Sequence, residues 1–471
     1  MTELMIPLDS DSARPLYQQI YEYIRKQIAD GKISCGEKLP STRLLAKHLL
    51  LSRSTVETAY EQLFAEGYIE PKDRRGYFAS DISKLYLEGA GQEEKKSRIT
   101  LRAEKKENYE VVFSPEGSEM EYFPYGVWRK ISKELLSGDN PELFLSGEPA
   151  GEQGLREAIC RYLYHARGVN ASPEQIVVGA GNEYLLILLA QVLGEKKKVA
   201  MENPTYLKAY YTFSHMHYEV CAIGMDGGGI VLEEVERENP DIVYTMPSHQ
   251  FPMGVVMPMK RRLELLRWAS AERERYIIED DHDSEFRYRG KPIPSLQGSD
   301  RKGSVIYIGT FSKSISPSLR VSYMVLPENL LERYHKNCGF YASTVPKEQQ
   351  LKLTAFFNQG HFERYLNRMR GVYKGKHDYF LGLLRKEPWV HKIYGDNAGM
   401  HLLVEVDSPL SQKEMVNKAK ERGVFVYTLE EYQIPGSLLK EKEYPTLLLG
   451  YGGLNEKQMQ YGIKVLREIG G

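Results

Sequence analysis

Apolar positions along this chain follow two rhythms. In the first eighty residues the rhythm is helical. Leu16, Ile20, Tyr23, Ile24 and Ile28 recur every three or four positions, which predicts a helix over residues 15–30 that Gly31 ends. LPSTRLLAKHL predicts a second helix with Ser41 as its N-cap. LLSRSTVETAYEQLFAEGYI predicts a turn and a third helix, capped by Ser52 or Ser54, with Val56, Ala59, Tyr60 and Leu63 as its apolar stripe. EPKDRRGYFA reads as strand, tight turn at Arg75-Gly76, strand. From about Val111 the rhythm changes. Short apolar runs (QIVVGAG, KKVAMENP, DIVYTMP, RYIIEDD, SVIYIGTF) alternate with helical patterns such as EYLLILLAQVL and RRLELLRWASAE. Strand–helix alternation predicts an α/β domain: a mostly parallel sheet with helices on both faces. Between the two rhythms, residues 81–108 hold QEEKKSR and RAEKKEN and few large apolar residues, the texture of a charged linker. The expected domains are 1–80, the linker 81–108, and 109–471.

Composition narrows the partners. The 471 residues exceed one ordinary domain, and 42% hydrophobic residues suffice for a large core. The formal net charge of -1 gives no global positive field, so any nucleic-acid site must be a local patch. Cys35, Cys160, Cys221 and Cys338 are widely spaced and form no CxxC pair, which argues against a zinc site or a disulfide framework and fits a reducing compartment. No apolar run is long enough to span a membrane, and MTELMIPLDSDSARP lacks the features of a secretory signal. A cytoplasmic protein without membrane contact is expected.

Charge in the first eighty residues is one-sided. Eleven Lys+Arg balance eleven Asp+Glu, yet Lys38, Arg43, Lys47 and Arg53 follow one another with no acidic residue between Lys38 and Val56. Arg74 and Arg75 add to them from the hairpin. Helix, helix, turn, helix, β-hairpin is the order of a winged helix-turn-helix, whose third helix puts its N-terminal residues to base edges in the major groove. Any one of these charges also fits an ordinary solvated helix face. The whole run LPSTRLLAKHLLLSRSTVETAYEQLFAEGYIEPKDRRGYF resembles the GntR family of bacterial regulators. The resemblance implies that Arg43, Ser52, Arg53, Ser54, Thr55, Arg75 and Gly76 carry DNA binding. Glu57 stands where some relatives have a further arginine.

The later section carries chemistry. SVIYIGTFSKSISPSLR delivers Thr310, Ser312 and Lys313 from a strand into a loop, with Arg320 seven residues beyond the lysine. A desolvated lysine can lose its proton and bond to an aldehyde, and hydroxyls with a guanidinium suit a phosphate. Upstream, RYIIEDDHDSEFRY ends a strand in carboxylates. There Asp280 could pair with a pyridinium nitrogen, or the cluster could hold a divalent metal. VVGAGNEYLL offers a helix N-terminus at Gly181, Asn182 and Glu183 as an anion site. In ENPTYLKAY, Tyr206 could stack on a flat ring.

Taken together, FPYGVW, GEPAGEQGLR, ENPTY, PSHQFPMG, EDDHDSEFRY and GTFSKSISPSLR appear in order and resemble fold-type I, class I aminotransferases. More closely they resemble the aminotransferase-like domain of the MocR subfamily of GntR regulators, over nearly the whole chain. The resemblance implies pyridoxal 5'-phosphate held as an aldimine at Lys313 and no metal. Asp280 would take the ring nitrogen, His282 the phenolic oxygen and Tyr206 the ring face. Asn182, Glu183, Thr310, Ser312 and Arg320 would take the phosphate. It implies a homodimer on double-stranded operator DNA that senses pyridoxal phosphate or a small amine or amino-acid effector, with at most a half-transamination. The alternative is a working class I aminotransferase with a fused DNA-binding domain. Several positions depart from the family pattern. His282 replaces the commoner tyrosine, Ser322 a glycine, and Ser146 a tyrosine that reaches the neighbouring subunit. Lys208 falls near an effector-binding arginine of one relative. TLLLGYGG lacks the arginine with which aminotransferases grip a substrate carboxylate.

Overall fold

The computed structural model describes residues 4–9, 12, 14–73, 75–81, 108–137, 139–288, 290, 293–437 and 444–470. Arg74 and nearly all of the expected linker, 82–107, lie outside them. The chain divides into two compact units, Met1–Lys105 and Lys106–Gly471.

In the smaller unit, α1 (Leu16–Ala29), α2 (Thr42–Leu49) and α3 (Arg53–Ala65) precede an antiparallel hairpin of β1 (Ile69–Lys72) and β2 (Gly76–Ala79). Both helix starts are fixed by hydroxyls that satisfy free backbone N–H groups. Ser41 Oγ accepts from the Leu44 N–H at 3.2 Å, and Ser52 Oγ from the Thr55 N–H at 3.2 Å. Ser52, not Ser54, is therefore the cap of α3. The stripe Val56, Ala59, Tyr60 and Leu63 is fully buried against Ile20 and Ile24. Tyr60 meets the cost of its buried hydroxyl by donating to the Pro40 carbonyl at 2.9 Å. The hairpin turn differs from expectation. Lys72 pairs with Gly76, and the Arg75 N–H bonds to the Lys72 carbonyl at 2.8 Å, so the turn lies one step earlier than Arg75-Gly76. Gly76, at φ 97°, takes a conformation that only glycine adopts freely and still pairs as the first residue of β2.

The larger unit is built on a seven-stranded sheet. In chain order its strands are β3 (Ile176–Gly179), β4 (Lys198–Glu202), β5 (Glu219–Ile223), β6 (Ile242–Thr245), β7 (Tyr276–Asp281), β8 (Val305–Thr310) and β9 (Ser322–Val325). In space they run β3-β9-β8-β7-β6-β4-β5, and β9 alone is antiparallel to its neighbours. The strands are apolar along most of their length because both faces are covered, with carboxylates at the ends of β4 and β7. Ile278 packs on one face with Tyr244, Met201 and Leu185, and its neighbour Ile277 on the other with Val243, Leu265 and Trp268. Helix α4 (Asn182–Leu193) is apolar around most of its circumference and correspondingly buried.

A second sheet is antiparallel, in the spatial order β10 (Val390–Tyr394), β11 (His401–Val406), β13 (Thr446–Gly450), β12 (Tyr427–Thr428). Helix α5 (His361–Leu384) ties it to the first core: Phe362 and Tyr365 pack toward the large sheet, Phe380 and Leu384 toward the small one. The parallel strands β7 and β8 end at Asp281 and Thr310, the end of such a sheet where ligands gather.

Candidate functional site: a cofactor cleft and a DNA-facing helix

Beyond the ends of β7 and β8 lies one cleft. Every residue expected to serve a cofactor lines it: Asn182, Glu183, Tyr206, Asp280, His282, Thr310, Ser312, Lys313 and Arg320. Ser322 and Lys208 line it too, whereas Ser146 is exposed elsewhere. Lys313 follows from the local fold. Thr310 ends β8, and its hydroxyl accepts from the Ser312 N–H at 3.1 Å, capping the one-turn helix Phe311–Ser314 that carries the lysine. Lys313 Nζ donates to the Pro115 carbonyl at 2.8 Å. Burial pushes its pKa down, against the opposing charges of Asp283 and Glu116. A lysine relieved of its proton is a nucleophile.

Asp280 is 3% exposed at the end of β7. Burial raises its pKa, and its oxygens accept from the Tyr244 hydroxyl and from Asn182 Nδ2 at 3.3 Å. Across the cleft the chain passes through Gly181 at φ 104°, and a Cβ there would stand 2.1 Å from an Arg320 nitrogen. Only glycine admits the guanidinium so close to the start of α4. Arg320 itself sits in the left-handed region at φ 50° and pairs with Glu183 at 3.0 Å. Glu183 also accepts from the Tyr206 hydroxyl at 3.0 Å, and Lys208 Nζ lies 3.8 Å from it.

These residues fit a flat, phosphorylated aldehyde. The backbone N–H groups at the start of α4 suit an anion, whereas Asn182 Oδ1, buried with no partner, is an acceptor left for a donor group. The backbone turn at Gly181, the Ser312 hydroxyl and Arg320 surround the same space. Two roles are more restricted than the residue types suggest. The Glu183 carboxylate is already shared by Arg320, Tyr206 and its own backbone N–H. The Thr310 hydroxyl caps a helix and accepts from Ser322 Oγ at 2.9 Å.

Glu116, Met246, Phe251 and Pro317 also line the cleft without being singled out by sequence. Tyr244, the buried donor to Asp280, was equally hidden; strand alternation on β6 was its only signal. Beside the cleft, His249, His282 and Asp283 bring potential metal-ligating atoms within 4.8 Å of one another. Strand β13 carries no cation. Leu447, Leu448 and Leu449 are buried in apolar clusters. A Cβ on Gly450 would stand 2.0 Å from the Ser114 carbonyl oxygen.

On the smaller unit, Arg43, Ser52, Arg53, Ser54, Arg75 and Gly76 are exposed and Thr55 is half-buried. Ser52 Oγ lies 2.9 Å from Ser54 Oγ and 2.8 Å from Thr55 Oγ1, so the three hydroxyls form one cluster at the start of α3. Arg53 Nε donates to Glu57 Oε1 at 2.7 Å, one turn along the helix. Among the described residues no helix is long and apolar enough to cross a membrane.

Comparison with known proteins agrees with this division. Residues 16–78 match the bacterial regulatory proteins of the gntR family, and residues 118–439 match aminotransferase class I and II. The chain is 41% identical to the HTH-type transcriptional regulator YdeL of Bacillus subtilis (strain 168), over 96% of each chain. It is 31% identical to the probable rhizopine catabolism regulatory protein MocR of Rhizobium meliloti, over 98% of this chain and 95% of that one. Among solved structures, the multiple substrate aminotransferase from Thermococcus profundus superposes with a TM-score of 0.68 at 25% identity, covering 78% of this chain and 92% of that one.

Proposed function

The chain belongs to the GntR-family transcription regulators of MocR type, which join a helix-turn-helix domain to an aminotransferase class I and II domain, and from that premise we propose that it reads a small amine or amino acid through pyridoxal phosphate held at Lys313. It acts in the cytoplasm, as a homodimer on two operator half-sites. The observation that carries this reading is the convergence of Lys313, Asp280 and Arg320 on one cleft.

When bound, pyridoxal phosphate supplies an aldehyde that condenses reversibly with primary amines. Lys313, low in proton affinity, would hold it. Asp280 keeps a proton on the ring nitrogen, with Tyr244 and Asn182 fixing the carboxylate. Tyr206 covers the ring. Arg320, Ser312, Thr310 and the N-terminus of α4 at Asn182 and Glu183 hold the phosphate. Arg43, Ser52, Arg53, Ser54, Thr55, Arg75 and Gly76 contact DNA. An effector changes operator affinity only by the difference in its affinity for the two states, and DNA changes effector affinity by the same factor.

Catalytic turnover as an aminotransferase is the weaker reading, because β13 offers no cation for a substrate carboxylate and Gly450 has no room for a side chain. The test joins a label to a binding measurement. Borohydride reduction of protein equilibrated with pyridoxal phosphate should fix the cofactor on the peptide that contains Lys313. Lys313→Ala should bind operator yet lose the response to pyridoxal phosphate and amines. A label on another lysine, or a Lys313→Ala variant that responds like wild type, would sink the reading.

A further inference from the structure

A buried group beside the cleft has no part in the function above. Asp283, two residues past the end of β7, is 3% exposed. Both of its oxygens accept from His249 Nδ1, at 3.0 and 2.9 Å, and one lies at an ion-pair distance of 3.4 Å from His282 Nε2, a buried nitrogen with no hydrogen-bond partner. The two imidazoles are near-parallel, with centroids 6.1 Å apart. The backbone is shaped around the pair. Gly399 takes φ 80°, and a Cβ there would stand 2.2 Å from His249 Cε1 and 2.9 Å from an Asp283 oxygen. Its carbonyl is clamped by the Tyr288 and Tyr451 hydroxyls, at 2.6 and 2.7 Å. Phe251 closes another side, its ring edge-on to both His282 and His401. With Nε2 turned to Asp283, His282 has Nδ1 left for the cleft it lines.

We propose that Asp283, itself held by His249, is a positioning residue for His282: its charge, 3.4 Å from Nε2, retains the second proton of the ring, so that His282 meets the cofactor as a hydrogen-bond donor. The cofactor half of this statement rests on the function proposed above. Burial alone would lower the proton affinity of His282, and Lys313 works in the same direction; Asp283 and Asp280 overcome both and raise it. Burial alone would raise Asp283; His249 and His282 hold it well below the ordinary carboxylate range. His401, the other imidazole packed here, is pushed down to about 3 by burial and by the charge of His249, and donates Nε2–H to the Pro252 carbonyl at 3.0 Å, so it stays neutral. A tyrosine at position 282 would donate without titrating near neutrality. A histidine whose Nε2–H faces Asp283 can donate from Nδ1 only while it carries both protons, and the anion favours that state.

The test begins on cofactor-free, full-length protein carrying ring-labelled histidine. The His282 resonance is identified by its loss in His282→Gln and followed by NMR against pH. In wild type its midpoint should lie above that of an ordinary histidine; a midpoint at or below the ordinary value overturns the proposal without need of any variant. In Asp283→Asn, proton affinity at His282 should fall at least about tenfold, one pH unit, as for loss of an opposite charge at this range. In His249→Asn, which keeps a donor toward Asp283, it should change less than about threefold. The absorbance midpoint of protein loaded with pyridoxal phosphate should move the same way. If the cofactor labels Lys313 and the His282 midpoint ignores Asp283→Asn, the pair has no positioning role. If the midpoint moves as expected but no cofactor labels Lys313, the positioning stands and the cofactor reading falls. If stoichiometric zinc captures His249 and His282 together at neutral pH, the cluster is a metal site and the proposal is wrong.

Discussion

Leu50 closes α2 in the left-handed region, at φ 56°, with 92% of its surface exposed. An L-residue pays about 1–2 kcal/mol to sit there, and glycine does not. The gain from removing the strain exceeds the entropy that glycine loses on folding, about 0.5–1 kcal/mol. Leu50→Gly should therefore stabilise the helix-turn-helix by roughly 0.5–1 kcal/mol. Amide exchange along α3 in the full-length protein measures this directly, and slower exchange is expected. Faster exchange would mean that the leucine side chain makes contacts that outweigh its backbone strain. Lys313 shows the opposite relation of residue to surroundings. Its side chain is flexible and its charge costly to bury, yet three local features (the Thr310 hydroxyl cap, the one-turn helix and the Pro115 carbonyl) hold its amine in one place.

Helix α3 carries both its proposed DNA contact and a competitor for it. The Arg53–Glu57 pair is exposed, so it is worth only about 0.3–0.5 kcal/mol. That is still a cost to any contact that must break it, and Glu57 adds a negative charge near phosphate. Glu57→Ala should tighten operator binding a few-fold and leave the fold intact. Arg53→Ala should weaken it by about 1–3 kcal/mol and relax base preference if the guanidinium reads a base edge. Fluorescence anisotropy on operator and on scrambled DNA, across a salt series, separates these outcomes. Looser binding in Glu57→Ala would mean that the ion pair presents Arg53 to the DNA rather than restraining it. The helices were legible in the sequence because α1 and α3 repeat apolar stripes and α2 and α3 open on a serine. The wing turn was misplaced by one residue because glycine can either sit in a turn or open a strand. In the larger unit the glycine turn, the lysine loop and the acidic strand end were legible as motifs. Tyr244 and Glu116 were not: Tyr244 meets Asp280 from a neighbouring strand, and Glu116 lines the cleft from far upstream, contacts across long sequence separations. The tie between His249 and Asp283 spans 34 positions and needed coordinates to see.

At the scale of the whole molecule, buried titratable groups set opposite pH slopes on stability. His401, on β11, has its pKa pushed from 6.5 down to about 3. The unfolded chain binds this proton below about pH 6.5 and the folded chain does not. Its contribution is therefore complete above that pH and is lost as pH falls toward 3. Glu202, at the end of β4, is pushed by burial from 4.5 up to about 7, while accepting from Thr245 Oγ1 at 2.6 Å. Here the folded chain holds the extra proton, so its contribution is complete below about 4.5 and is lost as pH rises through 7. The melting temperature of His401→Gln should thus approach that of wild type as pH drops from 6.5 to 5, whereas the gap for Glu202→Gln should narrow as pH rises from 5 to 7. Parallel curves for variant and wild type would show that neither group titrates differently in the two states. The close contact between Gly450 and the Ser114 carbonyl has a consequence on another timescale. A cation cannot be installed at Gly450 by one mutation, because the Ser114–Gly117 backbone that also supplies the acceptor for Lys313 would have to move first. Over evolutionary time any side chain at Gly450 would be felt first at the backbone that holds the Lys313 amine, which ties the two positions together.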